Sequence, residues 1–106
     1  MANFAYIWKY SIKPEEEEGF LAAYHSKGHW ATLFSRDRNY IKTELLRDSS
    51  DEYVYLTIDY WTSKAARDTF REEYSDEFDA LDRQCEAYTV SEVLIGDFVI
   101  HDAGAT

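Results

Sequence analysis

The segment from Glu52 to Ala66, read Glu-Tyr-Val-Tyr-Leu-Thr-Ile-Asp-Tyr-Trp-Thr-Ser-Lys-Ala-Ala, permits few arrangements. Its β-branched and aromatic residues alternate as in a strand, with Val54, Leu56, Ile58 and Tyr60 on one face and Tyr53, Tyr55, Thr57, Asp59 and Trp61 on the other. A strand with one solvated face would alternate apolar with charged residues, so two largely apolar faces require a cover on each side. At Thr62 and Ser63 the period changes from two to 3.6 behind a hydroxyl residue, so the strand runs directly into a helix that covers one face. In a chain of 106 residues, enough for one core and one domain over 1–106, the other face calls for a second copy of the same protein.

The remaining segments supply partners for this strand. Phe4 to Ile12 alternates with Phe4, Tyr6, Trp8, Tyr10 and Ile12 on one side. Pro14 opens a helix whose first turn carries Glu15 to Glu18, where the positive end of the helix dipole favours carboxylates; an acidic binding patch is the alternative reading of that run. Gly28 ends or kinks this helix, so that Trp30, Leu33 and Phe34 can form a short second one. Asp37 to Asn39 reads as a turn, with Asn39 tolerant of a left-handed backbone. Tyr40 to Arg47 makes a second strand, joined to the third through Asp48 to Asp51 as a hairpin.

The stripe Ala66, Phe70, Tyr74, Phe78, Leu81, Cys85 predicts a long helix, which Ser75 and Asp76 can split by capping. On its polar side Asp79 and Arg83 are spaced for an i,i+4 pair worth about 0.3 to 0.5 kcal/mol. Tyr88 to His101 is the last strand, with Gly96 marking a bulge or a close backbone approach, and residues 101–106 a frayed tail. The order strand, helix, strand, strand, helix, strand is the ferredoxin-like βαββαβ arrangement: an α+β fold with a four-stranded antiparallel sheet and helices on one face. The bare face carries either the aromatic row of the first strand with Tyr55, Asp59 and Trp61, or the complementary set. Either choice exposes more apolar surface than a monomer usually does, so a face-to-face homodimer is expected.

A net charge of −10, from 21 acidic against 11 basic side chains, argues against nucleic acid and anionic membrane surfaces as partners. No run of 18 apolar residues and no signal-peptide pattern is visible, so a cytoplasmic location is expected. The single cysteine, Cys85, reads as a reduced core thiol. Nine Tyr, six Phe and three Trp suggest a large shared core, a flat ligand pocket, or both.

The pattern Tyr24-x-x-x-Gly28-x-Trp30-x-x-Leu33-Phe34, then Tyr40-x-x-Thr43-x-Leu45-Leu46-x-Asp48, then Asp59-Tyr60-Trp61-x-Ser63 resembles the antibiotic biosynthesis monooxygenase family of the dimeric α+β barrel superfamily. The resemblance covers nearly the whole chain. It implies two sheets facing each other across a two-fold axis, with a pocket in each protomer between sheet and helices. Some members oxidise aromatic polyketides with molecular oxygen and neither metal nor flavin, and others degrade haem. In the haem-degrading branch a first-strand Asn, a Trp after the third strand and a His on the last helix act together; this chain keeps Trp61 but has Ile7 or Trp8 and Asp82 at the other places. In the polyketide-oxidising branch an Asn lies four residues before the Trp and a Tyr six after it, where this chain has Thr57 and Arg67.

Asp59 and Trp61 are the candidate catalytic residues. Buried, Asp59 would serve as a general base that takes a proton from a phenol or an activated C–H so that the anion reacts with oxygen; the alternative is an ion pair with Lys9 or Arg47. Trp61 either stacks on a flat substrate or plugs the end of the barrel. Trp8, Tyr55, Thr57 and Trp30 are expected to line the pocket, with His25 and His29 beside them. Those two histidines have the i,i+4 spacing of metal ligands, but no third ligand is dictated, and they read equally as polar groups at a helix end. Tyr6, Tyr10, Tyr53 and Tyr55 are proton donors to a substrate oxygen or interface packing. The expected function is therefore cofactor-independent oxidation of a small aromatic or quinol compound, with no cofactor and no metal. The alternatives are a non-catalytic dimer that binds a small apolar ligand and, less favoured, a haem-binding relative.

Overall fold

The computed structural model describes residues 3–102, so residues 103–106 of the expected tail lie outside the described part; His101 and Asp102 are exposed. Four strands, β1 (Phe4–Ile12), β2 (Tyr40–Arg47), β3 (Val54–Trp61) and β4 (Thr89–Val99), form one antiparallel sheet in the order β2-β3-β1-β4. The helices α1 (Glu17–Tyr24) and α2 (His29–Phe34) follow β1, and α3 (Lys64–Glu73) and α4 (Ser75–Cys85) follow β3. Short 3-10 turns at Pro14–Glu16 and Glu86–Tyr88 complete the crossovers. This is the expected ferredoxin-like arrangement, and among the described residues no helix is long and apolar enough to cross a membrane.

Register settles which face the helices cover. Tyr6 pairs with Asp59, Trp8 with Thr57 and Tyr10 with Tyr55, and the same face continues on β2 through Thr43 and Leu45. Phe4, Tyr10, Ile12, Tyr55 and Trp61 are buried on this side against Phe20, Tyr24, Leu33, Phe34 and Phe70 from the helices. The aromatic row of β1 is thus core, and packing at an intermolecular interface does not describe Tyr6 or Tyr10. The bare face is the complementary set: Ile7 and Lys9 on β1, Leu56, Ile58 and Tyr60 on β3, Glu44 and Leu46 on β2, and Val93 and Phe98 on β4. Val93 and Phe98 are about half exposed.

Several local expectations are corrected. Gly28 does separate two helices, but as the extended residue before α2, where a Cβ would stand 2.6 Å from the Ala22 carbonyl oxygen. His25 leaves α1 in an extended conformation and His29 begins α2, so the two do not share one helical face. Asn39 is not left-handed, since no described residue but glycine has positive φ. Asp37 Oδ1 instead accepts the Asn39 N–H at 2.8 Å, and Asn39 ties the two strands by accepting the Thr62 N–H at 2.9 Å.

Ser63 caps α3 by accepting the Ala66 N–H, as its hydroxyl suggested. The break between α3 and α4 falls at Tyr74, without a side-chain cap from Ser75 or Asp76. Asp79 pairs with Arg71 across that break at 2.8 Å, not with Arg83. On β4, Ile7 pairs with Gly96 and Trp8 with Leu94, leaving Ile95 as the extra residue of a bulge. Gly96 holds φ of 155° there, a backbone that L side chains rarely adopt.

Candidate active site

Between the inward side chains of the sheet and the four helices a cavity of about 270 Å³ remains. It falls just below the usual range for ligand pockets, roughly 300 to 1,000 Å³. Its walls are aromatic: Tyr6, Trp8 and Tyr10 from β1, Trp61 from β3, Tyr24, Trp30 and Phe34 from α1 and α2, and Phe78 from α4. Polar groups are few and concentrated. Asp59, Thr57, Thr43 and Arg67 converge from β3, β2 and α3, while Arg71, Asp82 and Glu92 come from α3, α4 and β4.

Asp59 is the centre of the first group. It is 9% exposed, and burial pushes its carboxyl up from 3.8 to about 6, against the opposing pulls of the Thr43 hydroxyl and the Arg67 charge. Thr43, its cross-strand partner on β2, donates to Asp59 Oδ1 at 2.5 Å. Tyr40 Oη lies 2.6 Å from Thr43 Oγ1. A hydroxyl that gives its only proton to Asp59 can only accept from Tyr40, so Tyr40, Thr43 and Asp59 form one directed chain from the half-buried end of β2 to the cavity wall. The second oxygen of Asp59 has no hydrogen-bond partner among the described residues.

Two buried phenols of the cavity are held protonated. Burial drives the phenols of Tyr10 and Tyr24 well above the usual tyrosine range, so both remain O–H donors at any physiological pH. Thr57 stands beside the Tyr10 hydroxyl, although the two make no well-aligned hydrogen bond. Burial also raises Cys85, which keeps it a thiol. Trp30 Nε1 lies beside that thiol and is buried without a well-aligned acceptor. Burial comes first among the causes that raise Asp82 and Glu92, followed by repulsion from neighbouring carboxylates.

Of the sequence-predicted residues, the fold brings Asp59, Trp61, Trp8, Thr57 and Trp30 onto one cavity. Trp61 is 1% exposed and packs on Phe34, Tyr40 and Phe70 with ring centroids 5.3 to 5.5 Å away, so it is both core and cavity wall. Tyr55 is not in the lining: it packs on Phe20, and its hydroxyl donates to Glu17 at 2.9 Å. His25 and His29 are exposed and away from the cavity, and no group of three His, Cys, Asp or Glu side chains gathers to hold a metal among the described residues. Neither Lys9 nor Arg47 pairs with Asp59. Lys9 points to the opposite face, and Arg47 lies at the far end of β2, opposite Tyr55.

Sequence reasoning missed the Thr43 and Tyr40 hydroxyls and the two arginines as functional groups. Arg67, Arg71, Tyr74 and Phe78 fall at steps of four, three and four, on the shoulder of the apolar stripe, and that spacing was the available signal. Thr43 needs the β2–β3 register, which follows from the hairpin only once its turn is fixed. Asp48 fixes it by accepting the Ser50 and Asp51 N–H groups at 2.7 and 3.0 Å.

No family model matches the chain, and no curated protein sequence does. Solved structures do match its fold. SnoaB, a cofactor-independent oxygenase from Streptomyces nogalater, superposes with a TM-score of 0.71 at 18% identity over 96% of each chain. A conserved protein from Methanosarcina mazei gives 0.71 at 13% identity over 92% of each chain. A putative antibiotic biosynthesis monooxygenase from Nitrosomonas europaea gives 0.68 at 10% identity, covering 96% of this chain and 94% of its own. The chain therefore has the α+β fold of the antibiotic biosynthesis monooxygenases.

Proposed function

We propose that this single-domain chain is a monooxygenase-like protein that oxidises a small aromatic or quinol compound with molecular oxygen and no cofactor, in the cavity between sheet and helices. The observation that carries the reading is Asp59, a buried carboxylate raised to about 6 on the wall of an aromatic cavity. A base with that pKa is largely ionised at neutral pH yet strong enough to take an acidic proton from a substrate clamped between aromatic rings. For a ring-activated CH2 group, Asp59 takes one proton and leaves a delocalised carbanion. The carbanion reduces O2 and combines with it, and the hydroperoxide loses water. One oxygen atom ends in the new carbonyl, the other in water, and the substrate supplies all four electrons. Thr43, itself accepting from Tyr40, donates to Asp59 and so favours the ionised carboxylate that takes the proton.

The test is oxygen consumption with a panel of phenols, anthrone-like ketones and quinols. The reading predicts uptake whose kcat/KM rises as pH passes through about 6 and then levels off, because Asp59 works as the deprotonated base. Tight binding across the panel with no uptake would replace it with the second reading, a binding protein for a small apolar ligand. That alternative is favoured by Thr57 and Arg67, which stand where the polyketide-oxidising relatives are expected to carry Asn and Tyr. Haem binding is disfavoured, since no histidine is in the cavity lining and Asp82 stands where a haem-degrading relative is expected to carry one.

The same reading includes a homodimer formed through the bare sheet face. Val93, Phe98, Ile58 and Leu56 make that face apolar, and Val93 and Phe98 on the edge strand β4 are 53% and 48% exposed. Val93→Glu tests it. Val93 is 53% exposed and pairs with Lys9, so a carboxylate is tolerated in the monomer but must be desolvated in a sheet-on-sheet contact. Sedimentation at micromolar concentration is expected to give twice the monomer mass for the wild type and the monomer mass for the variant. A wild type that sediments as a folded monomer rules the dimer out.

A further inference from the structure

We infer that Arg67 selects the ligand of this cavity: a planar aromatic molecule with an ionised oxygen conjugated to its ring, which the guanidinium holds from the α3 side, opposite Asp59. The inference rests on reading the cavity as a binding site for a small aromatic compound. The Arg67 guanidinium lies 4.1 Å over the ring of Tyr6, and Tyr6 is the cross-strand neighbour of Asp59 on the inward face. The side chain is 18% exposed and lies along the cavity. Its charge is felt at Asp59, yet no nitrogen of Arg67 comes within 4.0 Å of that carboxylate.

A guanidinium carries five donors in a planar fork, and here they have little to bind. The one carboxylate in contact is that of its sequence neighbour Asp68, at 3.8 Å, which is beyond hydrogen-bond length and whose other oxygen takes Lys64 Nζ at 3.2 Å. Arg71, one turn along, differs: it is held by Asp79 at 2.8 Å and lies over Phe78. In a chain with nearly twice as many acidic as basic side chains, an arginine that is 18% exposed and meets its one close carboxylate only at 3.8 Å keeps its donors open to a ligand oxygen. The ring of Tyr6 fixes the plane of the guanidinium, which leaves its edge for a ligand oxygen. Asp82 and Glu92, the remaining carboxylates of the cavity, influence Cys85, so they belong to the Trp30 and Cys85 side. The oxygen that Arg67 holds is where negative charge collects once a ring-activated proton leaves for Asp59, so the same contact favours the anion over its neutral parent.

Calorimetric titration with a hydroxynaphthoquinone and with its methyl ether tests this directly. At about pH 5 the first is an anion and the second is uncharged on the same skeleton, while Asp59 is largely protonated and does not repel either. The wild type is expected to bind the anion roughly 10- to 100-fold more tightly than the ether, the range for loss of a hydrogen bond to a charged group. Arg67→Met, which keeps the stem over Tyr6, is expected to abolish the preference and leave the ether unchanged. Arg67→Lys is expected to recover part of it, as a point charge without the fork. Equal affinity of the wild type for both compounds, binding of neither, or an equal loss of both in Arg67→Met would overturn the inference. Because the readout is binding, a protein that prefers the anion but consumes no oxygen keeps this inference and loses the oxygenase reading.

Discussion

Asp59→Asn is expected to make the protein more stable at about pH 8, by up to roughly 3 kcal/mol, while oxygen consumption falls by about 10²- to 10⁴-fold. The folded-state pKa of Asp59 lies above its unfolded value of 3.8, so the folded state binds this proton more tightly than the unfolded chain does. Stability from this group is therefore greatest below about pH 4. It declines as pH rises through about 6, and above that the full cost of burying the charge remains. Asparagine removes the charge and keeps an oxygen that can accept from Thr43, so the gain belongs to the neutral and alkaline range and fades toward about pH 4. Urea titrations of both proteins at the two pH values measure it. An Asp59→Asn variant no more stable than the wild type at pH 8 would mean that the carboxylate is well solvated, and with it the argument for a tuned base would go. A base that is held at a cost to stability is what a functional site of this kind requires.

Trp61→Ala is expected to cost about 3 to 5 kcal/mol, a large part of the roughly 5 to 15 kcal/mol that holds a domain of this size together. The side chain is one of the three largest that are fully buried, and it contacts rings from α2, β2 and α3 at once: Phe34, Tyr40 and Phe70. Its removal would merge an empty space with the existing cavity, and α3 would lose the contact that seats it on the sheet. Tyr40 would also lose the ring that holds its hydroxyl over Thr43, so any activity that survives should lose its simple dependence on Asp59. Equilibrium denaturation in urea gives the stability directly. A loss under about 1 kcal/mol would mean that the neighbouring rings collapse into the vacated space, and the wall of the site would then owe little to Trp61. Trp61→Phe separates the two roles, since it retains much of the packing while it removes the indole N–H and part of the flat surface.

Element order, the sheet and the two helical segments were legible in the chain because alternation and helical spacing are local properties of β1, β3 and the Ala66 to Cys85 stripe. The same signals marked Asp59 as a polar residue among aromatic ones on a strand, and Trp61 as the residue before the helix turn. Where they failed, the deciding geometry was between elements. His25 and His29 have the spacing of paired ligands, but the tight approach of Gly28 to the end of α1 puts them on different segments, a fact that spacing cannot carry. Tyr55 shares a face with Asp59 yet lies two pairs further along, over Phe20.

Sequence alone determined that both faces of the third strand are largely apolar and that a helix follows it at once, since these depend only on the order of apolar and polar side chains. It left the identity of the bare face open, because a strand that alternates two apolar sets is symmetric to the argument. Only the tertiary structure broke that symmetry, by the register that pairs Thr43 and Tyr6 with Asp59 and by the swing of α3 that brings Arg67 over Tyr6. A hydrogen-bonded chain and an arginine laid over a tyrosine ring beside a cavity arise from contacts between residues far apart in the sequence, and no period in the sequence encodes the distance between them.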